Sequence, residues 1–209
     1  MRTRLTPEML LYAYQQGIFP MADPDDGALY WYRPEQRGIL PLDAFHVPKN
    51  LAKVVRRGIF EVTTDRAFEA VMRACADRPS TWISEELIEA YGALHRWGFG
   101  HSVECWQDGR LAGGLYGMAL GGAFFGESMF HRVTDASKVA LVHLVRRLRR
   151  GGFVLLDTQY TTPHLRRFGA CAIPADEYER RLACAIETKA AWHAPEEITH
   201  VTFSPQDGD

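Results

Sequence analysis

The chain has 209 residues, enough for one large domain or for one domain with a small companion. Hydrophobic residues make up 46% and charged residues 24%, an ordinary globular balance, and a net charge of −2 excludes a bulk polycation. Any contact with nucleic acid therefore has to come from a local basic patch. No run of 18 apolar residues is present, so no membrane span is expected, and the opening MRTRLTPEML has no apolar stretch of a signal peptide. Cys75, Cys105, Cys171 and Cys184 lie far apart without a CxxC, which argues for reduced thiols and against structural zinc. The eight histidines form no HxxxH or HExxH pair, so no metal site is expected.

In chain order, Thr6 and Pro7 open a short helix over residues 8–16 that Gly17 stops. Residues 21–27 read as a loop rich in Pro, Asp and Gly. Residues 29–32 and 38–42 are short strand candidates around the turn Arg33-Pro34. Residues 1–45 are expected to form a small N-terminal domain, with residues 46–209 as the main domain. A second helix over 48–57 ends at Gly58, and it places Lys49, Lys53, Arg56 and Arg57 on one face. Residues 60–63 read as a strand, and Asp65 as the cap of a helix through Ala76. Ser84 caps a further helix that runs to Trp97, with Glu85 and Glu86 in its first turn, where the dipole favours acids. Residues 101–107 and 110–119 are strands joined by Asp108-Gly109, a type I′ hairpin signal.

The most informative stretch is LAGGLYGMALGGAFFGESMFHRVTDASKVALVHLVRRLRRGGFVLLDTQ, residues 111–159. Two apolar runs are split by Gly121-Gly122, and the second ends in Gly126-Glu127-Ser128-Met129-Phe130. A helix over 136–150 is stopped by Gly151-Gly152. A buried strand over 153–156 then ends on Asp157-Thr158-Gln159. Two strand ends thus deliver polar groups, as sites of chemistry often do. Thr162-Pro163 opens a short helix stopped by Gly169, residues 174–187 form a last long helix, and residues 198–203 are a strand candidate. This order gives an α/β (α+β) chain with a mixed, largely antiparallel sheet.

Each candidate group has two readings at this level. Asp157 and Gln159, two apart, either aim into a cleft or form a turn. Glu127 beside Gly126 either meets a ligand or pairs with Arg132 or Lys138. Leu115, Phe124, Leu141, Leu144, Leu148 and Leu156 line either a pocket or a plain core. The basic face at 49–57 and the cluster Arg146, Arg147, Arg149 and Arg150 are either solvated surface or RNA contacts.

GIFP at 17–20, TWIS at 81–84, HSVE at 101–104, GGLYG, FFGESMF, TDASK and LDTQ stand in one order and spacing over nearly the whole chain. In this they resemble the leucyl/phenylalanyl-tRNA–protein transferase family. The resemblance implies an acetyltransferase-like (GNAT-like) fold. It also implies transfer of Leu or Phe, with Met as a third substrate, from aminoacyl-tRNA to proteins with N-terminal Arg or Lys in the bacterial cytoplasm, marking them for degradation. Asp157 would polarise the attacking amine and Gln159 orient it or pass its proton, while Glu127 would orient an incoming cation or amine. The six apolar residues would hold the transferred side chain, and Lys49, Lys53, Arg56, Arg57, Trp82 and Tyr91 would contact tRNA, the two aromatics by stacking on a base. No cofactor is implied. Acetyl-CoA enzymes of this fold cradle pyrophosphate on a Gly-rich turn, whereas no glycine stands between Ser128 and Lys138, which argues against CoA. A monomer is expected. The family carries a longer lead before the first helix and a tryptophan where this chain has Met21, so Trp31 or Tyr32 is expected to stand in. Two other readings stay open: an acyltransferase of the same fold with a different acceptor, and a non-catalytic tRNA-binding module.

Overall fold

The computed structural model describes residues 4–193. Among these, the elements run α1 (Pro7–Gln15), β1 (Phe19–Ala22), β2 (Leu29–Tyr32), β3 (Gln36–Ile39), α2 (Lys49–Arg57), β4 (Glu61–Thr64), α3 (Phe68–Ala76), α4 (Glu85–Arg96), β5 (Gly100–Gln107), β6 (Arg110–Leu120), β7 (Ala123–His131), α5 (Ala136–Arg150), β8 (Leu155–Gln159), α6 (Pro163–Arg166), β9 (Cys171–Pro174) and α7 (Ala175–Glu187). Several boundaries follow from local chemistry. Thr6 accepts a hydrogen bond from Met9 N, with Pro7 in the first turn of α1, and Ser84 caps α4 through Leu87 N. Asp108 and Gly109 both take positive φ, 50° and 70°, as a type I′ turn requires.

β1 and β2 form a two-stranded hairpin, and the other seven strands make one sheet in the order β4-β5-β6-β7-β8-β3-β9. Every pair is antiparallel except β7 with β8, which α5 connects. Of residues 1–45, α1 and the hairpin lie against the sheet, while β3 is part of it.

The sheet is covered on both faces at its centre, so β6 and β7 carry continuous buried runs rather than a strict alternation. Neighbouring residues divide between two cores. Tyr116, Phe125 and Leu155 join α1, α3, α4 and α7 on one face; Leu115, Phe124 and Leu156 join α2 and α5 on the other.

Two irregularities open this sheet. The pairing of β7 with β8 covers Ala123 to Phe125 against Leu155 to Asp157 and stops there, although β7 continues to His131. The register of β6 on β7 also shifts, from Tyr116↔Ser128 to Gly117↔Gly126. Glu127 is the extra residue, and such a bulge re-aims a side chain. A glycine is needed opposite the bulge, since a Cβ on Gly117 would lie 2.3 Å from Phe125 O and 2.4 Å from the Phe124 ring.

Some expectations shift. The strand placed at 153–156 is found at Leu155–Gln159, because the turn after α5 still uses Phe153 N and Val154 N to bond Leu148 O and Gly122 O. The strand placed at 38–42 is β3, Gln36–Ile39, held between β8 and β9, and β9 has no counterpart in the sequence reading. Met21 and Ala22 are not loop but pair with Tyr30 and Leu29. Asp65 does not cap α3. At φ 61° it accepts from Ser102 N and Trp192 Nε1, while Glu104 accepts from Ala67 N at the helix start. The strand candidate at 198–203 lies outside the described residues.

The bulge gives a direct test. Gly117→Ala should destabilise the fold by about 1–3 kcal/mol, since the clash is with backbone and a packed ring rather than a flexible tip. Thermal unfolding of the purified variant measures this, and an unchanged melting temperature would show that the bulge has room to relax.

Candidate active site

Asp157 stands on β8 where β7 leaves it, and it is completely buried. Arg37 on β3 donates to it from Nε at 2.9 and 3.2 Å and from Nη2 at 2.6 Å, and uses Nη1 to reach Gly17 O at 2.8 Å. The guanidinium lies 4.5 Å from the Phe19 ring centroid and 4.6 Å from that of Tyr178. Tyr178 of α7 donates its hydroxyl to Asp157 at 2.6 Å. Burial works against the Arg37 charge, and the Asp157 carboxylate more than offsets it, so the guanidinium is held above its ordinary value. The last donor to Asp157 is Gln159 N at 2.8 Å. That bond from two residues ahead closes a turn and helps hold Gln159 at φ 55°, the left-handed region that side chains rarely enter.

Gln159 spans the gap between the parting strands. Assigned by its hydrogen bonds, its amide nitrogen donates to Gly126 O at 2.9 Å and Thr158 O at 3.1 Å. The Gly126 carbonyl, on the first β7 residue beyond the ladder with β8, thereby gains a partner from β8. The other amide atom, the oxygen, lies 3.4 Å from Glu127 Oε1.

Glu127 projects from the bulge toward α1 and α4. Tyr14 donates to Oε1 at 2.6 Å and in turn bonds the Tyr91 hydroxyl, which must be the donor to it. Burial pushes the Glu127 carboxyl up to about 7; the Tyr14 hydrogen bond acts against this, and the Asp157 charge adds to it.

These groups face a cavity of about 370 Å³. Leu115, Met129, Leu141, Leu144, Leu156 and Leu165 make an apolar side; Glu127, Gln159, Tyr116, Ser128, Thr158 and Arg78 are the polar and charged residues of the lining; Phe19, Met21, Trp82 and Tyr160 add further walls. Burial and the Lys138 charge hold His164, also on the wall, below its ordinary value.

The sequence candidates separate here. Glu127, Gln159, Leu115, Leu141, Leu144, Leu156 and Trp82 meet at the cavity. Asp157 stands behind it, its oxygens occupied. Phe124 and Leu148 are core instead: Phe124 is sealed by Trp192, stacked 5.4 Å away, and Leu148 lies one turn beyond Leu144 on α5. Tyr91 is fully buried and holds Tyr14, so it offers no stacking platform. Lys49, Lys53, Arg56 and Arg57 are all exposed on α2. The sequence reading missed Arg37, Tyr178, Tyr14 and Phe19. Tyr14, three residues before Gly17, carried a helical-face signal, whereas nothing in the string QRGI marks Arg37 as buried.

Comparison with known proteins gives a consistent result. The family model of the leucyl/phenylalanyl-tRNA protein transferase matches residues 39–183, and that of its N-terminal domain matches residues 3–35. A leucyl/phenylalanyl-tRNA–protein transferase of Paramagnetospirillum magneticum is 61% identical over 90% of this chain and 92% of its own length. That of Salinibacter ruber is 58% identical over 90% of this chain and 83% of its own. Among solved structures, L-PGS from Bacillus licheniformis overlaps 87% of this chain and 77% of its own at a TM-score of 0.47 with 12% identity. An aminoglycoside acetyltransferase from a soil metagenomic sample overlaps 71% and 97% at a TM-score of 0.41 with 11% identity. Overlaps this loose carry no functional inference. The two family models together cover most of the described residues, and with relatives near 60% identity they establish that the chain belongs to the leucyl/phenylalanyl-tRNA–protein transferase family.

Proposed function

We propose that the chain moves a leucyl or phenylalanyl group from charged tRNA to the α-amine of proteins that begin with Arg or Lys, marking them for degradation. The observation that carries this reading is the cavity, with leucines on one side and Glu127 with Gln159 on the other. The apolar side takes the aminoacyl side chain, and the carboxylate takes the incoming cation. The ester is already activated, so the protein has to position two substrates, remove a proton from the amine and stabilise charge. This chemistry calls for neither a metal nor CoA.

In this reading Glu127 and the Gln159 oxygen receive the acceptor's ammonium. A base near pH 7 is well matched to an α-amine of ordinary pKa ≈ 7.7–8.0. Asp157 acts through Gln159 as a positioning residue. On the donor side, Trp82 stacks on the terminal base, and the α2 face holds phosphates of the acceptor arm. The test is transfer from labelled Leu-tRNA and Phe-tRNA to a peptide starting with Arg. Absence of transfer to such a peptide, with transfer to another acceptor, would point to the same chemistry on a different partner.

Glu127 has to be ionised to take the proton. The kcat/KM for the acceptor should therefore fall as pH drops through about 7. In Glu127→Gln that limb should give way to one at the acceptor amine's ordinary value of ≈ 7.7–8.0, since only the neutral amine can then attack, with a loss of ~10²–10⁴-fold in rate. Stability should move the other way. The folded protein keeps a proton on Glu127 that the unfolded chain releases at the ordinary carboxylate value. The group thus costs stability progressively as pH rises from there through about 7. Above pH 7, Glu127→Gln should melt no lower than the native chain. A limb that stays at about 7 in the variant would remove Glu127 as the base.

Lys53→Ala with Arg57→Ala should raise KM for charged tRNA while kcat holds, with a modest salt slope because only a few phosphates are touched. Steady-state kinetics at two salt concentrations measures it, and an unchanged KM would make α2 plain solvated surface.

A further inference from the structure

Aminoacyl transfer needs one group that the residues named so far do not supply. When the amine attacks, its lone pair forms the C–N bond and the carbonyl π pair moves to oxygen. The tetrahedral centre then collapses, the ester C–O pair leaves with the ribose oxygen, and the proton lost by nitrogen ends on that oxygen. The products are an amide and a free tRNA hydroxyl. The transient charge on the carbonyl oxygen calls for a preorganised donor. Glu127 offers a carboxylate, both Gln159 amide hydrogens are used by backbone carbonyls, and Arg37 is sealed behind Asp157.

We propose that the hydroxyl of Tyr116 is that donor, a reading that rests on the transfer reaction assigned above. Tyr116 lies on the cavity wall and is completely buried, yet its hydroxyl has no hydrogen-bond partner. The neighbouring Tyr14 and Tyr91 hydroxyls are both engaged. A buried hydroxyl left alone costs ~1–3 kcal/mol, and folded proteins seldom keep one without a use. The ring is also fixed in direction. Phe68 and Tyr91 meet it edge-on, each with centroids 5.9 Å away, at interplanar angles of 81° and 80°. Its place follows from the register: Tyr116 of β6 faces Ser128 of β7, directly beside the bulged Glu127. Base and donor are thus delivered by facing positions of one strand pair. Burial and the Glu127 charge hold the phenol well above its ordinary value, so it keeps its proton and can only donate to an oxyanion.

Thr158 is the other cavity-lining residue, among those described, whose hydroxyl is buried without a partner. It follows Leu156 by two on β8 and so shares the leucine side, where the transferred side chain goes. It serves as the competing candidate.

The experiment compares Tyr116→Phe and Thr158→Val with the native chain in single-turnover transfer, each preparation also being melted. Transfer by the native chain checks the underlying reaction independently. Removing a hydroxyl that bonds nothing should leave the melting temperature equal or higher in Tyr116→Phe. The transfer rate should fall on the order of 10²-fold with KM for charged tRNA little changed. Affinity for a phosphonate mimic of the tetrahedral centre should fall by the same factor, and affinity for a non-hydrolysable aminoacyl-adenosine amide should hold. A near-native rate in Tyr116→Phe overturns the proposal. So does a loss of rate that comes with a lowered melting temperature, and so does a loss confined to Thr158→Val.

Discussion

The ion pair of Arg37 with Asp157 is the constraint on which the rest of the site depends. Removing both charges from water is costly, and the structure offsets this with a bidentate geometry, a tyrosine hydroxyl and two aromatic faces. Each offset recruits a different element. Gly17 O ties in the turn after α1, Phe19 the hairpin, Tyr178 the helix α7, and Arg37 itself the strand β3. Breaking a buried pair of this kind from one side typically costs ~3–5 kcal/mol, because the surviving charge is stranded. One carboxylate therefore fixes the N-terminal layer against the sheet and also holds the backbone of Gln159.

The cavity exists because two strands stop pairing. Beyond Phe125 and Asp157 the β7–β8 ladder ends, and the bulge at Glu127 turns a carboxylate toward α1 and α4. The same space is walled by leucines that belong to the α5 core. A single opening thus touches both faces of the sheet, apolar on one side and polar on the other. An aminoacyl ester needs that pairing, since its side chain and its reacting carbonyl are only a few bonds apart. Gln159 reaches across the opening by bonding Gly126 O, which limits how far the strands can separate.

Much of this was legible in the residues. The helix at Ala136–Arg150 follows from its periodicity and from Gly151-Gly152, and the Asp108-Gly109 turn from its two residues alone. Spacing put Leu141, Leu144 and Leu148 on one helix face and left all six apolar candidates open between pocket and core; the resemblance assigned the six to a pocket, and Phe124 and Leu148 lie outside it. Pocket and core share one composition, and what separates them is the Trp192 stack that seals Phe124 and the extra helical turn that carries Leu148 past the cavity. Glu127 was legible as a strand-end acid. Its bulge was not, because a one-residue register shift depends on the partner strand. The residues alone left Asp157 open between a cleft and a turn, the resemblance singled it out for chemistry, and its partner was not legible. Arg37 is 120 residues away in sequence, and a buried arginine looks like a surface one until the sheet order brings β3 beside β8.

The buried pair contributes both to stability and to the geometry of the site, and the two contributions are separable. Replacing both members together with apolar residues of similar size, Arg37→Met with Asp157→Leu, leaves no charge stranded and is commonly tolerated by a fold. It also removes the acceptor that holds Gln159 N. The decisive measurement is the single-turnover rate of Leu transfer to an Arg-starting peptide by this double variant, after cooperative unfolding near the native temperature has been verified. The account requires a folded protein slowed on the order of 10²-fold, as loss of positioning at a reacting centre commonly costs. A folded double variant that transfers at the native rate would contradict it.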